Sequence, residues 1–353
     1  MPIFGNLKLT GCPDKQLEPD PGVLGSRKNN RPSCQIASGN GPKKSQTFMK
    51  TISYLFCACI WVVGLSACQG EQQHAQSEIS RQEAVVENGG DPETVNTLVQ
   101  QYLAYTTNYP EDSEANPRYL YRAAALQYRL NNYDAARNNL EKAIREYYDN
   151  ENTPNSVLLL EDIYQDKLKD RMASSIIMQA AAESFPELAN HQEKVASIQN
   201  SGLAPVAQRL DAVARAMYPD TTGRIDLRRA NDFITGASVY ALISPDGDQV
   251  PELLYKAAET ARTVQAFTKT IELYDWLIDH YPDFEKVPQA MFLKGFTLDN
   301  DLRRLEEARA IYEDFLATYP QDDFADDARF LLDNLGKTDE EIIQSFDGTQ
   351  AEQ

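Results

Sequence analysis

Within residues 117–147, apolar and small residues recur at intervals of three and four positions, which is the spacing of one face of an α-helix. The polar pair Asn131 and Asn132 interrupts this pattern near its middle. Small residues such as Ala123 and Ala136 stand on the apolar face on either side of the interruption, where two helices would approach closely. The pattern predicts two packed helices joined by a short turn.

The same unit recurs along the chain. Aromatic residues, most of them followed by Pro, close several of the predicted helices. Tyr109, Tyr147 and Phe185 are spaced 38 residues apart, and so are Tyr281 and Tyr319. Proline is common just beyond a helix because it cannot continue the helix and restricts the residue before it. A constant period of this length indicates an array of stacked helix pairs.

A second relation links the two ends of the array at a shift of 134 residues. Residues 120–124 read LYRAA, and residues 254–258 read LYKAA. At the same shift Tyr133 corresponds to Phe267, and the closing aromatic residue Tyr147 corresponds to Tyr281. The array is therefore predicted to be duplicated.

The last unit resembles a tetratricopeptide repeat. Ala308, Tyr312, Phe315 and Pro320 match the pattern of its second helix, and Gly295 stands where the first helix usually has Gly or Ala. The period of 38 departs from the usual 34 of that family, so longer helices or loops are expected. The resemblance implies an all-α fold, a right-handed α-solenoid of tetratricopeptide-like helix pairs.

Residues 49–70 show a different pattern. A short basic start precedes an uncharged run over 52–65, which suits a signal peptide and is shorter than the roughly 20 apolar residues of a spanning helix. The run ends in LSAC at 65–68, which resembles the lipobox of bacterial lipoproteins. That resemblance implies cleavage before Cys68 and acylation of this residue, with several acyl chains giving firm anchoring. An uncleaved membrane anchor is the alternative.

These patterns divide the chain into seven segments. Residues 69–90 are rich in Gln and Glu, and 1–48 have no apolar periodicity, so neither is expected to fold alone. The predicted segments are a disordered leader or mis-assigned start (1–48), a lipoprotein signal peptide (49–67), a flexible tether (68–91), N-terminal helical repeats (92–186), a helical linking segment (187–225), C-terminal helical repeats with a capping helix (226–337) and an acidic tail (338–353).

Composition argues against a catalytic or metal site. Four of the five cysteines precede Cys68, so the predicted mature chain has neither a disulfide nor a thiolate metal site. The three histidines are scattered along the chain and form no ligand-like pair. Asp246 and Asp248 lack the ligand spacing of a calcium loop, so they are interpreted as part of a turn. We predict no cofactor, no metal and no enzymatic activity.

The chain is strongly acidic. Its formal net charge of −19 becomes about −24 once residues 1–67 are removed, because seven Lys/Arg but only three Asp/Glu lie in 1–48 and Lys50 adds one more positive charge. Ten acidic residues lie between Gln321 and Gln353, where a solvated cap and tail are expected. A surface of this charge repels phosphate backbones, so nucleic-acid binding is not expected.

Partner binding is assigned through the repeat resemblance. In that family the first helix of each unit lines a concave groove that holds partner segments, and aromatic and Arg residues are frequent energetic anchors of interfaces. Packing inside the repeat remains the alternative for each tyrosine. The candidate groove residues are Tyr121, Tyr128, Arg129, Tyr255, Glu259 and Arg262.

The layout of lipobox, tether and repeats closed by aromatic residues resembles the BamD class of outer-membrane assembly lipoproteins. The resemblance implies a non-enzymatic adaptor, lipid-anchored in the outer membrane and facing the periplasm. Its expected partners are envelope proteins, including components of β-barrel assembly. The alternative is a lipoprotein that captures a nutrient or glycan, although Trp61 lies in the signal and Trp276 on a core-like helix face.

Overall fold

The computed structural model describes residues 70–185, 201–218 and 223–337 together with residue 341. All of them belong to one compact unit, Ser66–Gln353. Within these ranges the regular secondary structure is helical, without strands, and the predicted all-α solenoid of tetratricopeptide-like helix pairs is confirmed. Cys68 and the segments predicted for 1–48 and 49–67 lie outside the described residues.

Thirteen helices in the described ranges form six consecutive pairs and a final cap. They are α1 (70–87), α2 (Pro92–Asn108), α3 (Ala115–Arg129), α4 (Tyr133–Glu146), α5 (Thr153–Asp162), α6 (Arg171–Ser184), α7 (Val206–Ala216), α8 (Leu227–Ile243), α9 (Val250–Thr263), α10 (Phe267–His280), α11 (Val287–Phe296), α12 (Leu305–Thr318) and α13 (Ala325–Asp333). Short π-helical turns at Ile163–Leu168 and Thr297–Asp301 extend α5 and α11.

The duplication extends over far more of the chain than the sequence match did. Helices α4, α5 and α6 have the same bounds as α10, α11 and α12 once 134 is added to each residue number. The turns agree as well. Asn131 and Gln265 have φ values of 60° and 62°, and Lys169 and Arg303 have φ values of 57° and 54°. The helices α1–α6 and α7–α12 therefore form two halves with a common frame, meaning the same order of helices and turns.

The closing aromatic residues end the second helices and connect neighbouring units. Tyr109, Tyr147 and Tyr281 each donate the last helical backbone N–H to the carbonyl oxygen four residues earlier, and their φ values of −128° to −135° lie outside the helical range. The Tyr147 hydroxyl then donates to the Pro110 carbonyl oxygen at 3.3 Å, and the Tyr281 hydroxyl to that of Pro245 at 2.8 Å. These bonds align the loops that follow the second helices along one edge of the solenoid.

One hydrophobic core runs through the junction of the halves. It includes buried residues from Ala124 on α3 to Ala290 on α11. A Cβ added at Gly236 of α8 would lie 2.7 Å from Leu210 Cδ2 of α7 and 3.0 Å from Ile176 Cδ1 of α6, so glycine permits the close approach of these three helices. Helix α7 of the predicted linking segment thus packs into the core, while the helix predicted near 191–199 lies outside the described residues.

The flexible tether predicted for 68–91 is wrong over its described part, because residues 70–87 form helix α1. Ile79 is 2% exposed and belongs to a second core cluster with Leu98 of α2. Ala75 and Val86 pack against the same cluster and extend this narrow apolar stripe at helical spacing. Most of this helix faces solvent, so its sequence is rich in Gln and Glu and was predicted to be disordered. Its few apolar residues are buried by packing against α2.

Polar contacts also fasten α1 to the first repeats. The Tyr102 hydroxyl donates to Glu83 Oε1 at 2.5 Å, and Arg122 forms an ion pair with the same carboxylate. Gln72 Nε2 donates to Asp112 Oδ2 at 2.9 Å. Because Asp112 lies in the loop after α2, the beginning of α1 lies at the edge formed by the closing aromatic residues.

Candidate partner-binding surface

The three candidates in the first half lie on α3. Tyr121 and Tyr128 are half-buried against the main core, and Arg129 is exposed. The Tyr128 ring meets Tyr133 edge to face, with 5.5 Å between the centroids. Lys167 Nζ lies 5.0 Å from the Tyr128 centroid, within cation–π distance. Hydrogen bonding between Lys167 and Tyr128 raises the pKa of the lysine. Tyr128 and Arg129 are therefore accessible to a partner, at the turn between α3 and α4.

Tyr255 and Glu259 of the second half are occupied inside their own unit. Tyr255 is 7% exposed and packs against Tyr274, with 6.5 Å between the ring centroids. Burial raises the pKa of Tyr255 to about 12. Glu259 Oε1 accepts a hydrogen bond of 2.6 Å from the Tyr274 hydroxyl. Both side chains are thus parts of the packing between α9 and α10.

Arg262 lies apart from these residues, at the C-terminal end of α9. Its Nε is 3.5 Å from Asp301 Oδ2, and its guanidinium carbon is 5.1 Å from the centroid of Phe296. It borders a cavity of about 360 Å³ that is otherwise lined mainly by apolar residues of α11 and α13. The six candidates consequently occupy separate environments, and their role in binding partners stays a prediction.

A larger cavity of about 670 Å³ lies between α4, α8 and α10, and we call it the central groove. These are the second helices of their pairs, whereas sequence reasoning had assigned binding to first helices. The polar lining comprises Arg137, Asn138, Glu141, Lys142, Arg145 and Glu146 of α4, Asn231, Thr235 and Ser238 of α8, and Lys269 and Glu272 of α10. The groove therefore lies where the two halves of the chain meet.

Arg145 of α4 contacts two residues of α10 across this groove. Its guanidinium carbon lies 4.2 Å from the ring centroid of Trp276 on α10, within cation–π distance. Its Nη2 is 3.5 Å from Glu272 Oε1, and Lys269 Nζ is 3.0 Å from the same oxygen. The Nε of Arg145 is buried and has no hydrogen-bond partner in the described part of the chain.

Glu141 lies one helical turn from both arginines of α4. Its Oε1 is 3.6 Å from Arg137 Nε, an atom that is likewise buried without a hydrogen-bond partner among the described residues. Burial raises the pKa of the Glu141 carboxyl, although Lys269, Arg137 and Arg145 each act to lower it. Protonation of Glu141 would leave the cations of the groove in larger excess.

The duplication contains a signal for this groove that sequence reasoning missed. Arg137, Glu141 and Arg145 occupy positions i, i+4 and i+8 on one face of α4. The corresponding residues of α10 are Ile271, Asp275 and Asp279. The frame of the repeat therefore does not require arginine at these positions, and comparing the halves residue by residue would have singled them out.

The described residues contain no cluster of three or more His, Cys, Asp or Glu side chains that could hold a metal ion. None of the helices in the described ranges has the length and apolar character needed to span a bilayer.

Comparison with known proteins identifies the repeat class. The family model described as tetratricopeptide repeat matches residues 118–149 and 289–322, which include most of α3 and all of α4, and most of α11 and all of α12. One similar solved structure is the TPR2AB-domain:pHSP90-complex of yeast Sti1, at 13% sequence identity over 74% of this chain and 97% of that chain, with a TM-score of 0.27. No curated protein sequence matches the chain. The chain contains tetratricopeptide repeats, which are typical of protein–protein interaction scaffolds.

Proposed function

We propose that this protein is a lipid-anchored, non-enzymatic adaptor that holds partner proteins at a membrane of the bacterial cell envelope. The observation that carries the proposal is the repeat array, whose two halves stack into one solenoid. Solenoids of this kind use extended surfaces to bind other proteins. The lipobox at 65–68 supports the anchoring, with Cys68 as the acylated residue.

The beginning of α1 supports a fixed orientation at the membrane. Only Gln69 separates Cys68 from Gly70, where α1 has already begun. Two residues of chain span at most about 7 Å. The bond from Gln72 to Asp112 places this end of α1 at the edge of the solenoid that carries the closing aromatic residues. An acyl anchor at Cys68 would therefore hold this edge close to the lipid headgroups.

The charge of this edge indicates how the protein is held there. Its five completely described loops contain eleven Asp/Glu residues and a single Lys; the loops are 109–114, 147–152, 244–249, 281–286 and 319–324. Such an edge is repelled by anionic headgroups, so electrostatic attraction does not hold it at the surface. Acyl chains act through burial of their CH₂ groups, at about 0.8 kcal/mol each, and do not depend on this charge.

The resemblance to the BamD class supports a role in outer-membrane protein assembly, with envelope proteins as partners and the periplasm as the location. The ligand-capture alternative needs an accessible aromatic platform. Trp276 does not offer one, because it is 5% exposed and lies against Arg145. The adaptor is the better-supported function, because the repeat array is observed and Trp276 is buried.

The anchoring part of the proposal is tested at Cys68. In a Gram-negative host supplied with labelled palmitate, the wild-type protein should incorporate label, partition into detergent and fractionate with the outer membrane. Cys68→Ser should lose the label and migrate as a precursor, since the processing that follows acylation is blocked. Expression from Met49 should give the same mature protein as the full reading frame. Label that persists in Cys68→Ser would refute acylation at this residue.

The adaptor part is tested by crosslinking in intact cells followed by affinity purification of the wild-type protein. Envelope proteins should be recovered in fixed proportion to the bait. The same proteins should be absent when the tag is fused directly after residues 49–69, so that the acylated Cys68 is kept and the repeat array is missing. Equal recovery from both would show that the lipid anchor, and not the repeat array, collects these proteins.

A further inference from the structure

The central groove contains two arginines whose donors are only partly used. The nearest carboxylate oxygen lies 3.5 Å from Arg145 Nη2 and 3.6 Å from Arg137 Nε, while strong charge-assisted hydrogen bonds are 2.7–2.9 Å long. Arg137 Nη2 is also 3.6 Å from Asp134 Oδ1. Each guanidinium has five N–H donors. The groove therefore retains donors that a further carboxylate could engage.

These arginines are not needed to build the repeat. Their counterparts in the second half, Ile271 and Asp279, occupy the same helix frame without a positive charge. A cationic column on α4 is also unusual in a chain with a net charge of −19. Its position in a groove that both halves line is explained if the column recognises something outside the fold.

We infer that the central groove binds an extended acidic segment of a partner protein, through carboxylates that pair with Arg137 and Arg145. This inference deepens the proposed adaptor function and rests on it. The ligand class follows from charge complementarity, since the four Lys and Arg residues of the lining face three Glu residues in an otherwise acidic protein. Polynucleotide phosphates are disfavoured by the overall charge.

The spacing of the arginines sets the spacing of the ligand's carboxylates. Eight residues of α-helix separate Arg137 from Arg145, a rise of about 12 Å. An extended chain covers this distance in roughly four residues, and residues four apart in an extended segment point to the same side. The preferred ligand therefore has two acidic residues about four positions apart.

The opposite wall of the groove suits the backbone of such a segment. Asn231, Thr235 and Ser238 lie at helical spacing on one face of α8 and line the groove. The side chains of Asn231 and Thr235 can donate and accept hydrogen bonds, while the Ser238 hydroxyl donates to the Ile234 carbonyl oxygen at 2.8 Å and can accept one. A groove of about 670 Å³ is also within the usual size range of ligand sites. Both side-chain charge and backbone polarity of an acidic segment are thus matched.

The test measures binding of a peptide to the mature lipid-anchored protein in detergent. Fluorescence anisotropy reports the binding at about 50 mM salt, where surface charges are weakly screened. The probe is a labelled peptide of about seven residues, with two glutamates four positions apart among serine and glycine. A peptide with glutamine at the same positions and one with adjacent glutamates are the controls. The probe should bind more tightly than both.

Variants locate the binding. Arg137→Met and Arg145→Met should each weaken binding of the probe by about ten-fold, whereas Arg309→Met, at an exposed position on α12, should leave it unchanged. Arg145→Lys keeps the charge against Trp276 and should fall between wild type and Arg145→Met. Thermal unfolding of each variant, followed by circular dichroism, verifies that it is folded, and Arg137→Met carries the test if Arg145→Met does not fold.

Two results would overturn the inference. One is equal binding of the glutamate and glutamine peptides, and the other is wild-type affinity in both folded arginine variants. If either occurs while the crosslinked envelope proteins are still recovered, the adaptor function stands and only the assignment of this groove fails. Loss of those envelope proteins from the wild-type sample would instead count against the adaptor itself.

Discussion

Gly295→Ala should destabilise the protein, although alanine is the better helix former. Gly295 lies inside α11, and a Cβ added there would be 2.7 Å from Tyr312 Cε1 and 3.0 Å from Tyr312 Cδ1 on α12. Ile311 Cγ2 would be 3.3 Å away. Tyr312 is fully buried, so its rigid ring has no open space into which it can move. The clash must be relieved by a shift of one helix against the other.

The two contributions have opposite signs. Replacing glycine by alanine within a helix stabilises by roughly 1 kcal/mol, because the unfolded chain loses conformational freedom. Overpacking of a well-filled core costs about 1–3 kcal/mol. The net expectation is a decrease of about 0–2 kcal/mol in the free energy of unfolding. For a domain near this size each kcal/mol corresponds to a shift in Tm of about 2–4 °C.

Urea unfolding followed by circular dichroism measures the effect, and the midpoint is the better observable because helical repeats can unfold in steps. The control is Gly295→Ala in the Tyr312→Met background, since the first half has Met178 at the position of Tyr312. There the clash is removed and the alanine should stabilise relative to Tyr312→Met alone. A gain of about 1 kcal/mol in the Tyr312 background would show that α11 and α12 are not in this register.

Three further changes test other parts of the structure. Ala308→Asp should lower stability by about 3–5 kcal/mol in urea unfolding, because Ala308 is 0% exposed and its replacement buries a charge without a partner; surface-like tolerance would contradict the repeat register. Inserting about ten Gly and Ser residues between Gln69 and Gly70 should leave stability unchanged. It should lower energy transfer from a lipid dye to a label at Glu111, because the longer chain lets this edge move away from the membrane. Unchanged energy transfer would contradict the short connection between Cys68 and α1. Glu141→Gln should tighten binding of the diglutamate probe, because it removes a carboxylate that competes for Arg137; weaker binding would contradict that role.

The fold was largely predictable because each unit is stabilised by local contacts. Spacings of three and four residues define the apolar faces, and the closing aromatic residues mark where second helices end. Ala308, Tyr312 and Phe315, predicted to form the second-helix core of the last unit, are all 0% exposed. The resemblance to tetratricopeptide repeats could therefore be recognised from a single unit, and the family model matches there.

Contacts between distant units were less predictable. The periodicity of α1 is weak because only a narrow stripe around Ile79 is buried, and its burial depends on α2 and α3. The central groove depends on how closely the solenoid brings α4 to α8 and α10, which no pattern within one unit specifies. Tyr255 was assigned to a groove because it lies on a first helix, yet the pairing of α9 with α10 turns it towards Tyr274.

The duplicated frame and its differences explain together why the groove is asymmetric. Tyr147 and Tyr281 keep the same hydrogen bond to the preceding loop in both halves, because each half needs it to align its units. The exposed faces of α4 and α10 are free of that requirement and have diverged, so that Arg145 of one half stacks on Trp276 of the other. Because α10 has Ile271 and Asp279 where α4 has Arg137 and Arg145, the acidic segment that we propose would pair mainly with the α4 wall of the groove.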